Sequence, residues 1–230
     1  GGDPGMDLFG EDAHAVQLDV IVAILLLLIL SNFRLLGTAR LTATIQTMVW
    51  QAVALGALPL ALYGPHLSPR LVLLALTTVA VKGLILPWLL RRALRASEAR
   101  REVEPLIGFT TSILLATLML GLCVWVVRPL AHGMPSDGAR LLAVALFTIL
   151  TGLLMIVSRR KALTQVIGYL AMENGVYAFG TALAVEEPLL VELGVLLDVF
   201  VAVFVMGIAI YHINREFDHI DTDRLSLLKD

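Results

Sequence analysis

The chain has 230 residues, is 58% hydrophobic and carries a formal net charge of −2. Only 16% of its residues are charged, against about 25% in an ordinary soluble domain, and mean hydropathy is +0.87. This profile excludes a basic nucleic-acid binder and a soluble enzyme, and it fits an integral membrane protein. The single cysteine, Cys123, cannot by itself form an internal disulfide or hold a zinc or iron–sulfur site.

Taken in chain order, residues 1–14 form an acidic tail. Gly1–Gly5 precede Met6 and are set aside; no cleavable signal peptide is expected. Seven apolar segments then reach the ~20 residues a spanning helix needs. They are Ala15–Phe33, Leu41–Tyr63, Arg70–Leu90, Pro105–Val127, Ala139–Val157, Ala162–Val185 and Pro188–Tyr211. The breaks carry turn residues, as in Tyr63-Gly64-Pro65 and His132-Gly133-Met134-Pro135. Pro105 and Pro188 sit at helix starts, where the missing N–H does no harm. The expected fold is all-α and polytopic. A four-helix part (15–127) precedes a three-helix part (139–211), and a charged tail (212–230) is too short to fold alone.

Basic residues orient the spans. Arg34, Arg40, Arg91, Arg92, Arg95, Arg100, Arg101, Arg159, Arg160, Lys161, Arg215, Arg224 and Lys229 fall on one side, 13 of the 17 in the chain. Only Arg70, Arg128 and Arg140 fall on the other. The positive-inside rule puts the N-terminus outside and the C-terminus in the cytoplasm, which requires an odd number of spans.

Three ionisable residues lie near the middle of three spans: Lys82, Glu173 and Asp198. A charge at the bilayer centre costs ~3 kcal/mol on insertion scales and more in simulation, so such residues pair with one another or line an ion path. Glu173 belongs to a run in which Gln165, Tyr169, Glu173 and Tyr177 recur every four residues along one helix face. Gly168, Gly175 and Gly180 beside that stripe let a neighbouring helix approach. Glu173 reads either as a proton-handling carboxyl or as a static hydrogen-bonding group in a helix seam. Lys82 lies two to three turns from the basic end, so it reads either as a snorkelling lysine or counter-ion or as a titrating group. Asp198 has no polar neighbour for several positions on either side and needs a partner, with Lys82 or another subunit as the candidates. Glu187 lies three turns earlier on the same face, close to the outer surface, and Glu192 lies on another face about one turn inside. The histidines are too scattered for a metal site, and no phosphate loop or nucleophile–base pattern is present.

Three stretches carry a family resemblance: Lys82-Gly-Leu-Ile-Leu-Pro87 with the arginines after it, Gln165-Val-Ile-Gly-Tyr-Leu-Ala-Met-Glu173-Asn174-Gly175, and Arg224-Leu-Ser-Leu-Leu-Lys229. Through them, and over nearly its whole length, the chain resembles the E component of hydrogenase-4, a membrane subunit of formate hydrogenlyase-type complexes. The last three spans are also similar to the K subunit of respiratory complex I and the C subunit of multi-subunit sodium/proton antiporters. The K-type subunit's first intramembrane glutamate maps about one helical turn from Glu173 when Asn174 is aligned. Its second falls within a residue or two of Asp198.

The resemblance implies a subunit of an oxidoreductase complex with no catalytic centre or cofactor of its own. Nickel–iron and iron–sulfur centres would lie on a soluble hydrogenase arm, and antiporter-like subunits would be the membrane neighbours. Lys82, Glu173 and Asp198 would then serve proton or sodium movement, supported by Gln165, Tyr169, Asn174, Tyr177 and Glu192, in the cytoplasmic membrane of a bacterium or archaeon. The alternative is a purely structural adaptor that holds antiporter-like subunits together.

Overall fold

The computed structural model describes residues 4–63, 69–96, 106–133, 135–183 and 207. Apart from residue 207, the seventh expected span, with Glu192 and Asp198, and the tail from 212 lie outside the described residues. Among those described, the chain is helical throughout, with no strand.

Helix α1 runs Pro4–Gly37 and α2 runs Leu41–Tyr63. Next comes a helical rod built of α3 (Pro69–Thr78), a π-helical segment (Val79–Ile85) and α4 (Leu86–Ala96). Helix α5 spans Phe109–Val127, α6 Ser136–Ser158 and α7 Ala162–Leu183. Long aliphatic runs without water must satisfy their backbone internally, which leaves the helix as the available form. Four of these helices are long and apolar enough to cross a membrane: Val16–Gly37, Leu41–Leu62, Phe109–Val127 and Ser136–Ser158. The chain is a membrane protein.

Several boundaries differ from the expected ones for local reasons. Helix α1 begins eleven residues before Ala15, through the acidic tail. Helix α5 starts at Phe109 and not at Pro105, because Gly108 takes an extended conformation (φ −54°, ψ 151°) as its N-cap. Arg159 at φ −120°, ψ 138° stops α6.

The α6–α7 hairpin is the tightest contact in the fold, and glycine makes it possible. A Cβ on Gly152 would lie 2.6 Å from the Gly168 carbonyl oxygen, and one on Gly175 would lie 2.9 Å from that of Ala145. The backbones therefore touch where side chains would hold them apart. Gly168 and Gly175 are the glycines expected at a seam, and Gly152 is their counterpart on α6. Helices α1 and α2 pack on this hairpin, and the α3–π–α4 rod packs on α2. Where α2 meets the rod, a Cβ on Gly56 would run into Val79 and lie 3.3 Å from the Ala75 carbonyl oxygen. Helix α5 is the most open, with Leu114, Leu118, Leu122 and Trp125 exposed.

Arg159 closes the end of the bundle that carries the basic loops. Its Nη2 donates to the Leu36 carbonyl at 2.8 Å, one of the carbonyls left without a helical partner at the end of α1. Its guanidinium lies 5.0 Å from the centre of the Phe109 ring. The Leu106 N–H donates to the Ser158 carbonyl at 2.8 Å, tying the start of α5 to the same place. Burial pushes the Arg159 guanidinium down from its ordinary value.

Candidate functional site

The buried apolar residues fall into two clusters along the bundle. One gathers Leu35, Leu36, Ile45, Met48, Leu90, Phe147, Met155 and Ile167. The other gathers Leu25, Leu28, Leu55, Leu58, Leu141, Val144, Tyr177 and Ala178. Between them, on α1, α2 and α7, lie buried polar residues. On α1 these are Ser31 and Asn32, between Leu28 and Leu35; on α2 it is Gln51, between Met48 and Ala54. On α7 they are Glu173 and Asn174, between Ala171 and Tyr177. Lys82 comes from the π segment and Thr148 from α6, and all seven side chains are buried. Gln51 sits near the centre of α2, about 15 Å along the axis from Leu41, so this polar layer lies at mid-depth.

Lys82 Nζ donates to Glu173 Oε1 at 3.0 Å, with 5% and 2% of the side chains exposed. The snorkelling reading of Lys82 is therefore corrected: its ammonium is turned into the bundle. It also donates to Asn174 Oδ1 at 3.3 Å and lies 5.5 Å from the centre of the Tyr177 ring, within cation–π range.

The local backbone explains how a lysine on this rod reaches α7. Within the π segment the Leu86 N–H donates to the Val81 carbonyl, five residues back, and a π turn carries an extra residue that re-aims its side chains. Pro87, immediately after, has no N–H to offer. Gly83, next to Lys82, is buried against α2, where an added Cβ would lie 3.6 Å from Ala52.

From Asn174 the hydrogen bonds continue away from the lysine. Asn174 Nδ2 donates to Gln51 Oε1 at 3.1 Å. Gln51 Nε2 donates to Asn32 Oδ1 and to Ser31 Oγ, each at 2.8 Å. Asn32 Nδ2 donates to Thr148 Oγ1 at 2.8 Å. Two backbone carbonyls end the chain: Thr148 donates to Val144 at 2.8 Å and Ser31 to Leu28 at 2.7 Å. A buried amide left without its partner costs about 1–3 kcal/mol, so a network this complete holds five helical elements in one arrangement.

Of the residues singled out in the sequence, the structure brings together Lys82, Glu173, Asn174 and Tyr177. The four-residue stripe on α7 is not one continuous path. Tyr169 is half-buried against the first apolar cluster. Gln165 is exposed and donates to the Arg159 carbonyl at 3.0 Å, away from the lysine. Sequence reasoning missed Ser31, Asn32, Gln51 and Thr148. A signal for one of them existed: Thr44, Thr47 and Gln51 recur at helical spacing inside an otherwise apolar segment.

A cavity of about 10 Å³ adjoins Lys82 and Asn174, and its other walls are Met48, Leu86, Pro87, Leu90 and Leu170. That is the room one water molecule needs. It lies toward Leu90, and so toward the arginines that follow it. An ammonium on a carboxylate with space for one water can pass a proton between protein groups, since proton transfer needs partners in hydrogen-bond reach or linked by water.

The chain is 35% identical over 162 residues to hydrogenase-4 component E of Escherichia coli K12, covering 70% of this chain and 75% of that protein. It belongs to the hydrogenase-4 component E family. An uncharacterised protein of Mycobacterium tuberculosis is 32% identical over 205 residues, covering 88% of this chain and 93% of that one. Residues 140–230 match the family described as NADH-ubiquinone/plastoquinone oxidoreductase chain 4L. No solved structure matches. Thr148, Glu173 and Asn174 of the polar layer fall inside the 140–230 region, whereas Ser31, Asn32, Gln51 and Lys82 precede it.

Proposed function

We propose that this component E relative is a non-redox membrane-arm subunit of a hydrogenase-4- or formate hydrogenlyase-like complex, and that it contributes to proton or sodium movement coupled to electron transfer. The observation that carries the reading is the buried Lys82–Glu173 pair at mid-depth, 3.0 Å apart. Evenly apolar packing would serve an adaptor better, because a buried ion pair is weak as a source of stability.

In this reading Glu173 exchanges a proton with Lys82, Lys82 exchanges one with a water in the cavity it lines, and Asp198 on the seventh span continues the path. The chain crosses the cytoplasmic membrane seven times, with its N-terminus outside and its basic loops in the cytoplasm. Antiporter-like subunits flank it. The nickel–iron and iron–sulfur centres belong to the soluble arm, whose electron transfer shifts charge in the membrane arm.

The test is ion movement by membrane vesicles carrying the assembled complex with Glu173→Gln or Asp198→Asn, beside native electrophoresis of the same membranes. Intact complex with ion movement lost supports the reading. A missing complex supports the structural adaptor instead.

A further inference from the structure

The hydrogen bonds that leave Lys82 have a single direction, and backbone groups impose it. Val144 and Leu28 offer carbonyls, which only accept. Thr148 and Ser31 give their one hydroxyl proton to those carbonyls, so toward the amides both can only accept. Asn32 must then turn its NH₂ to Thr148 and its oxygen to Gln51. Gln51, whose NH₂ serves both Ser31 and Asn32, is left with its oxygen toward Asn174. Asn174 spends its NH₂ on that oxygen and has its carbonyl left for Lys82. A flip of any one amide would set donor against donor on one of its sides and acceptor against acceptor on the other. The three amide dipoles thus run head to tail, each negative end nearer the lysine.

We infer that Asn32 and Gln51 are positioning residues that lock Asn174 as an acceptor and so hold the Lys82 ammonium on Glu173. Both come from helices that precede the region matched to the chain 4L family. The first half of the chain therefore sets the electrostatics of a carboxyl in the second half. Thr148 and Ser31 are the two anchors of the same device, since their bonds to Val144 and Leu28 together fix the direction of everything downstream. This inference rests on the proposed role of the Lys82–Glu173 pair for its significance, but its test does not depend on ion movement.

The chain has three lysines, Lys82, Lys161 and Lys229, so one labelling experiment reads the site against two internal references. Purified full-length chain in detergent is treated with a membrane-permeant amine-reactive reagent, and modification of each lysine is followed by mass spectrometry. Gln51→Met keeps the side-chain volume and removes the amide; the double variant Ser31→Ala/Thr148→Val removes both hydroxyl anchors. Both are expected to speed labelling of Lys82 relative to Lys161 by about tenfold, the scale of losing a hydrogen bond to a charged group. Thr151→Val, a buried polar residue of α6 outside the chain of amides, is expected to leave the ratio unchanged.

If Gln51→Met does not fold, the double variant Ser31→Ala/Thr148→Val decides. Unchanged Lys82 labelling in a folded variant overturns the inference, as does an equal rise in Thr151→Val. Faster labelling in variants that still move ions at the normal rate would leave the inference standing and remove the proposed function.

Discussion

Lys82 and Glu173 meet 3.0 Å apart, on segments 91 residues apart in sequence, with both side chains buried. Each would be a costly lone charge in an apolar bundle. Removing one partner of a buried pair costs about 3–5 kcal/mol because the other is left uncompensated, whereas replacing both with apolar groups is often neutral. Lys82→Met and Glu173→Leu are each expected to lower the thermal midpoint of the purified chain strongly, and the double variant to recover most of the loss. Additive losses in the double variant would show that the two charges do not depend on one another.

The glycine seam predicts which small residues are replaceable. Gly175→Ala and Gly152→Ala place a methyl against the backbone of the facing helix, so the hairpin must open. Overpacking of this kind costs ~1–3 kcal/mol or more. Gly121→Ala on α5 meets nothing within 4 Å and gains up to ~1 kcal/mol of helix propensity. Thermal midpoints of the three variants should separate accordingly, with Gly121→Ala at or above the parent.

Arg159 acts as a side-chain cap on α1 from across the bundle. Arg159→Met removes a charged hydrogen bond to the Leu36 carbonyl and the contact with Phe109, an expected loss of roughly 1.5–3 kcal/mol. Arg159→Lys keeps the charge but not the planar face that lies on the ring, so its midpoint should fall between the two. The lowered value of this guanidinium means the folded state holds its proton less tightly than the unfolded chain. The group therefore carries a charge-burial penalty throughout the pH range in which it stays protonated, relieved only in strong alkali. Stability measured between pH 5 and 8 should not vary on account of Arg159.

The helices and the key charges are legible in the sequence. Aliphatic runs of spanning length point to a membrane, and a lysine or glutamate within such a run is too costly to be incidental. That Lys82 faces Glu173 is not legible, since it depends on a π turn whose register leaves no periodic trace. Ser31 and Asn32 lie at the end of the expected first span, Ala15–Phe33, where polar residues meet the interface without cost. The helix continues to Gly37, and that places both inside the bundle. Thr148 is hidden because a threonine can satisfy itself on its own helix, as Thr44 and Thr47 do by donating four residues back.

The proposed seven-span topology makes a separate prediction. Single cysteines placed at Arg92 and Arg160, in a Cys123→Ala background, should react with an impermeant thiol reagent only from the cytoplasmic face. A cysteine at Arg140 should react only from the outer face. Labelling of Arg92 and Arg140 positions from the same face would remove the orientation drawn from the basic residues.

The most direct measurement is coupled ion movement in vesicles holding the assembled complex with Glu173→Gln, which keeps the shape and hydrogen-bonding reach of the side chain and removes its ability to ionise. The account predicts that, per complex assembled, electron transfer no longer drives ion movement, or does so at least ~100-fold more slowly, as for loss of an acid–base group. Ion movement at the parent rate in that intact complex would contradict it.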